Sequence, residues 1–301
     1  MENYKGENSP SETQTLASKV KPGEYVKYIP DKVNTTDEAY TNLISDLGTY
    51  SGNGENTALT QEEMNWRVLD VVNGKVRLIS ENPTSNNVTL SGYNGYNNAV
   101  YLLDKTCRTL YNKTGYTENI QNLKIEDIQN KMTTTDYSAI YPSYGTPLSP
   151  TNLYYPSIFA QEEGQKIDGT TGTLGLSKQT DPIEQTIIEI YPEESWEVKF
   201  TYWTKTMEEN DFTNPIYYNL FINNDTNSYW MSSRCVSADS DYAAFNVRSV
   251  YSGSVNALNL YVSSSASASY SIGFRPVITL NSNVSVTSGD GTKSLPYVIG
   301  L

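Results

Sequence analysis

The sequence predicts an α+β domain, on three observations. An Asn73-Gly74 turn joins two β-branched runs early in the chain, two helical stretches follow it in succession, and the carboxy-terminal third is rich in strands. Helices grouped after a hairpin, with no strands alternating between them, argue against a βαβ series.

The elements are expected in this order. Residues 1–20 are polar and aperiodic and read as a disordered tail or stalk, which leaves 21–301 as a single domain. Glu24-Tyr25-Val26-Lys27-Tyr28-Ile29 reads as a short strand closed by Pro30. Residues 31–64, interrupted by Gly48, Gly52 and Gly54, read as a loop. The runs 66–72 and 75–80 flank Asn73-Gly74, the pair best suited to the positive φ angles of a two-residue hairpin turn. Asn97 and Asn98 are expected to cap a helix on which Val100, Leu103, Cys107 and Leu110 share one face. A shorter helix over 124–132 places Ile125, Ile128 and Met132 on one side.

Residues 133–195 are rich in Tyr, Pro, Gly and Thr, and Pro142, Pro147, Pro150 and Pro156 prevent long regular elements, so ordered loops are expected. A strand is expected over 196–203, a short helix near 215–222 and another strand over 228–232. Ala243, Phe245 and Val247 alternate with Ala244, Asn246 and Arg248, which predicts a strand with one buried and one exposed face. Phe274 and 276–280 form a further strand, Asp290-Gly291 a turn and 295–299 the last strand, with Pro296 suited to an edge or a strand start. A domain that begins and ends on such strands is expected to bring its two ends together.

Composition excludes several function classes. With 301 residues the chain can bury a large core. Its net charge of -13 and pI near 4.5, with no Lys/Arg cluster, argue against nucleic acid as a partner. No apolar run is long enough to cross a bilayer and no signal peptide is read, so membrane attachment is expected only through a missing N-terminal anchor. The absence of His removes the Ser-His-Asp triad, the Cys-His dyad and imidazole-held zinc. Cys107 and Cys235 are too few for a four-thiolate site; they read as buried thiols, with one disulfide as the alternative. Adjacent acids such as Glu62-Glu63 and Glu193-Glu194 read as solvated surface, not as a glycosidase pair. No catalytic residue, cofactor or metal is therefore expected.

The positive signal is the palette of side chains. There are 25 Tyr against 6 Phe, and residues 237–272 contain no Lys, Glu, Gln, Trp or Pro. Tyr with Ser, Asn and Asp is the mixture of antibody-like binding surfaces, in which Tyr gives contact area at low entropic cost and the small polar residues give adaptable hydrogen bonds. A serine-rich surface without a ligand is the alternative.

The phrases Tyr229-Trp230-Met231-Ser232-Ser233-Arg234-Cys235, Phe245-Asn246-Val247-Arg248, Ser252-Gly253 and Gly273-Phe274-Arg275-Pro276-Val277-Ile278-Thr279-Leu280 occur in that order, after Asn65-Trp66-Arg67-Val68-Leu69 and Gly95-Tyr96-Asn97-Asn98-Ala99-Val100. From about residue 20 onward the chain resembles a family of gut-bacterial and phage proteins with a C-type-lectin-like fold of the formylglycine-generating-enzyme type. Some members resemble the variable proteins of diversity-generating retroelements. The resemblance implies two helices, mostly antiparallel sheets, long irregular loops and a variable segment at 237–272. Phe245, Val247, Val250, Val255 and Leu260 would be scaffold. Asp239, Asp241, Tyr242, Ala244, Asn246, Ser249, Tyr251, Ser254, Asn256, Asn259, Tyr261 and Ser263 would face the ligand. The implied partner is a protein or a glycan, met at a bacterial or phage surface. The tripeptides Glu-Pro-Asn, Gln-Pro-Asp and Trp-Asn-Asp, with which lectins of this type hold calcium and sugar, do not occur. The rival readings are a structural or pilin-like surface subunit and, third, an enzyme of the formylglycine-generating type, for which Cys107 and Cys235 lack a matching spacing.

Overall fold

The computed structural model describes residues 14–133, 181–182, 205–222, 228–238, 243–262 and 267–301. Within them the chain is α+β, with two mixed sheets and few helices. In chain order the helices are α1 (Leu16–Lys19), α2 (Glu38–Tyr50), α3 (Gly92–Tyr111), α4 (Ile125–Gln129) and α5 (Pro215–Phe221). The strands are β1 (Tyr25–Lys27), β2 (Trp66–Val72), β3 (Lys75–Ser80), β4 (Val88–Ser91), β5 (Thr117–Asn122), β6 (Lys205–Thr206), β7 (Tyr229–Ala238), β8 (Ala243–Tyr251), β9 (Ser254–Val262), β10 (Ser269–Phe274), β11 (Pro276–Leu280), β12 (Ser285–Ser288) and β13 (Tyr297–Gly300).

The first sheet runs β12-β13-β1-β2-β3-β11-β5 and the second β4-β10-β7-β8-β9-β6. Every pairing is antiparallel except β1 with β13 and β7 with β10. The β2–β3 hairpin turns on Asn73 and Gly74 at φ 51° and 74°, the left-handed backbone that this residue pair tolerates best. The two ends of the domain meet as the sequence predicts: Val26 pairs with Tyr297 and Lys27 with Val298.

Helix α3 packs against strands of both sheets, touching β5 and β11 of one and β4, β7, β8 and β9 of the other. Its side chains Leu102, Leu103, Cys107 and Leu110 are fully buried, as helical spacing of the apolar positions requires. Trp66 lies edge-on between Tyr28 and Tyr111, with ring centroids 5.2 and 5.7 Å away. A charged network closes the outer side of β2 and β3. Arg77 clamps Asp70 through two bonds of 2.7 and 2.6 Å and reaches Asp127 at 2.6 Å, and Lys131 reaches Asp70 at 2.6 Å.

The structure corrects four expectations. The stretch 14–20 is not a tail: Leu16 and Val20 are buried, and the Leu16 amide donates to Val284 O at 2.8 Å. Two isolated apolar residues in a polar run carry no periodic signal, yet they suffice to dock one turn. The 31–64 loop contains α2, which buries Tyr40, Leu43 and Leu47 at helical spacing and bonds the Tyr40 hydroxyl to Leu59 O at 2.9 Å. Asn97 and Asn98 do not cap α3, which starts five residues earlier at Gly92; both are buried in its interior. In its first turns Gly95 lies close against Ser51, where a Cβ would come within 2.8 Å of Ser51 O. Finally α4 stops at Gln129, and Met132 is buried beyond it. Helix α5 falls where expected, with Asn214 Oδ1 accepting from the Ile216 amide at 3.0 Å as an N-cap. The loops expected over 133–195 fall outside the described residues apart from Thr133, Asp181 and Pro182, and the strand expected over 196–203 falls wholly outside.

Candidate recognition surface

Strands β7, β8 and β9 form an antiparallel meander in the middle of the second sheet. Ser252 and Gly253 make the β8–β9 turn at φ 48° and 75°. Phe245, Val247, Val250, Val255 and Leu260, the positions assigned to scaffold, are all buried. A bulge sets Asn246 opposite Asn259 and Phe245 opposite Tyr261, so β9 carries one extra residue, Leu260, across that step.

The structure divides the residues assigned to ligand contact. Asp239, Asp241, Tyr242 and Ser263 lie outside the described residues. Tyr251, at the end of β8, is 48% exposed, and Asn259 is exposed. Ser254, Asn256 and Tyr261 are half-buried on β9. Ala244, Asn246 and Ser249 are instead buried, at 0–1% exposure, and so is Arg248. The exposed face expected of β8 is thus covered: both of its faces are closed from Ala244 to Val250. Alternation along a strand sorts residues onto two faces but does not say that one of them is wet, and a strand central to its sheet can bury both.

A second surface adjoins β9. Strand β10 pairs with β4, Ser269 opposite Ser91 and Ser271 opposite Thr89, and these four side chains point the same way. Thr89 Oγ1 donates to Ser271 Oγ at 3.0 Å, and Asn53 Nδ2 to Ser269 Oγ at 3.3 Å. The edge of β4 is tied down, because the Thr89 amide donates to Asn56 Oδ1 at 2.9 Å and the Ser91 amide to Ser51 O at 2.8 Å. Ser267, exposed, bridges to Tyr261. Tyr261 belongs to an aromatic cluster with Phe245, Tyr93 and Tyr96, whose centroids are 5.1–6.2 Å apart. Sequence reasoning missed Asn53, Thr89, Ser91 and Tyr93, which lie far from 237–272 along the chain. It also passed over Ser267, Ser269 and Ser271, although these stand inside that segment.

The scaffold behind this surface is stiffened by buried polar groups. Arg275 donates to Ser80 O at 2.5 Å, Glu81 O at 3.0 Å and Phe221 O at 3.2 Å, as well as to Leu220 O, and stands 5.3 Å from the Tyr229 ring. Asn122 of β5 donates to Trp230 O at 2.8 Å and accepts from the Arg275 amide at 2.7 Å, which rivets one sheet to the other. Arg234 donates to Asn97 O at 2.7 Å and lies over Tyr96. Trp230 Nε1 donates to Val88 O at 2.8 Å and fixes β7 to β4.

The titratable groups nearby are structural in placement. Burial pushes the Asp104 carboxyl up, against Lys124 at 3.5 Å and the Asn122 amide at 2.9 Å. Cys107 and Cys235 are free and buried; burial raises the Cys107 thiol well above its ordinary value and the Cys235 thiol to about 11. A thiol held protonated is a weak nucleophile. Among the described residues no three acidic or thiol side chains converge as metal ligands. On the first sheet, a concavity of about 580 Å³ is lined by Tyr28, Ile29, Met64, Trp66, Leu295 and Val298. Among the described residues no helix is long and apolar enough to cross a membrane. No protein-family model matches the chain, and searches of curated proteins and of solved structures give no match.

Proposed function

We propose that the chain is a non-catalytic recognition protein that presents Tyr, Ser and Asn side chains on a rigid scaffold. The reading takes the scaffold as C-type-lectin-like and the chain as the variable protein of a diversity-generating retroelement, acting at a bacterial or phage surface on a protein or glycan ligand. One observation carries it: Tyr251, Ser254, Asn256, Asn259 and Tyr261 are each exposed or half-buried along β9 and its turn, while the five apolar positions between and behind them are buried. Such a split lets outward side chains be exchanged without disturbing the core. The paired ends and the packing of α3 against both sheets support a lectin-like scaffold, although the described residues hold five α-helices where two were expected.

The burial of Ala244, Asn246 and Ser249 narrows the surface to β9 and the turn. It also favours a second reading, a structural surface subunit in which these residues only fill the interior. The two readings separate on binding. The full chain and a version with Tyr251, Ser254, Asn256, Asn259 and Tyr261 all changed to Ala are screened against a peptide display library and immobilised oligosaccharides. Ligands retained by the first and lost by the second support recognition. Equal retention, with equal thermal stability, supports the structural subunit. Sequences of the gene from several isolates give an independent check, since recognition requires substitutions clustered at these positions and not at Ala244, Asn246 or Ser249.

A further inference from the structure

Two long stretches of the chain, 82–103 and 249–274, contain no Asp, Glu, Lys or Arg. Charged residues make up 18% of the whole, so 48 average residues would carry about nine. The fold brings the two stretches together. Strand β4 and the first half of α3 come from one, and β9, β10 and the Ser252-Gly253 turn from the other, and β10 pairs with β4. Thr89, Ser91, Ser267, Ser269 and Ser271 offer hydroxyls at or near the surface, Asn53 an amide, and Tyr93 and Tyr261 half-buried rings.

Resting on the recognition reading above, we infer that this surface takes a neutral, polyhydroxylated ligand, a glycan without sulfate, phosphate or carboxylate. The two stretches supply no cation to pair with an anionic group and no anion to pair with a basic peptide, while the chain as a whole, at -13, repels anions at long range. A hydroxyl both donates and accepts, so a row of them matches the hydroxyls of a sugar in either sense. Tyr rings supply the apolar faces on which the C–H side of a sugar ring packs. A protein partner is disfavoured because hot spots between proteins are large side chains, Trp, Tyr or Arg, that project from the surface into a partner pocket. Of the exposed large hydrophobic side chains among the described residues, Tyr251 is the one that belongs to these two stretches, and it stands at the turn.

The full chain is applied to immobilised neutral, sialylated and sulfated oligosaccharides at low and at high salt, beside the double variant Ser269→Asp, Ser271→Asp. Retention of neutral glycans, unchanged by salt and weakened at least tenfold in a double variant that melts like the parent, supports the inference. A third protein, with Ser269→Ala and Ser271→Ala, guards against a folding defect in the Asp variant, and it must also bind more weakly. Retention confined to anionic glycans, or abolished by salt, overturns the inference. Retention of no glycan overturns it too. In that case, a peptide ligand that is lost when the β9 positions become Ala leaves the recognition reading standing, and its absence removes both.

Discussion

Replacing Asp70 with Asn tests whether the charged network on β2 and β3 holds the first sheet together. The Asp70 side chain is 6% exposed and those of Arg77 and Lys131 17%, so the three charges sit largely out of water. Asp70 accepts both arms of Arg77 and the ammonium of Lys131. The amide keeps the shape and removes the charge, leaving Lys131 without an ion-pair partner among the described residues, beside the Tyr217 ring 5.3 Å away. Removing one partner of a buried pair costs about 3–5 kcal/mol, and because Arg77 retains Asp127 at 2.6 Å the lower end, about 3 kcal/mol, is expected. The exposed pair Lys75–Glu118, with side chains 35% and 43% exposed, is the control; Glu118→Gln is expected to cost under about 1 kcal/mol. Burial pushes the Asp70 carboxyl up, but the bonds to Arg77 and Lys131 outweigh it and hold the group below its ordinary value. A carboxylate lowered in the folded state contributes its stability in full above the unfolded value, about 3.9, and loses it as pH falls through the folded value. The difference between parent and variant in urea denaturation is therefore expected to be constant near neutral pH and to shrink below about pH 4. An Asp70→Asn cost no larger than that of Glu118→Gln, or a difference that persists undiminished in acid, refutes the reasoning.

Arg275→Met keeps most of the side-chain volume but leaves the carbonyls of Ser80, Glu81, Leu220 and Phe221 without their shared donor, and a loss of about 3 kcal/mol or more is expected by denaturant titration. Gly52→Ala places a Cβ 1.9 Å from Ser91 O at a φ of 75°, so a large fall in melting temperature is expected, accompanied by faster amide exchange at Ser91. Cys107 and Cys235 are expected to resist a thiol reagent at mildly alkaline pH and to react at once in denaturant; rapid reaction of the folded protein contradicts their burial. Tyr251→Ala is expected to change stability by less than about 0.5 kcal/mol, because the ring is half exposed, while weakening any ligand bound at the turn; a large stability loss shows the ring to be structural.

Local chemistry alone determined a good part of this protein. Asn73-Gly74 had one economical conformation between two β-branched runs, and it adopts it. The apolar spacing from Val100 to Leu110 fixed a helix with Cys107 inside, and the alternation around Phe245 fixed a strand. The pairing of the two ends was expected from a domain that begins and ends on short strands, and β1 and β13 do pair. The tertiary structure decided what such patterns cannot carry. Leu16 and Val20 become core because α1 docks beside β12 and β3, and the first turns of α3 pack closely on Ser51 because residue 95 is a glycine. Whether Asn246 and Ser249 face solvent depends on how many layers cover β8, a property of the assembled fold and not of a period of two. The joining of β4 to β10, which turns two distant uncharged stretches into one surface, is likewise a long-range pairing that no local window records, because the backbone bonds that create it do not depend on side-chain pattern.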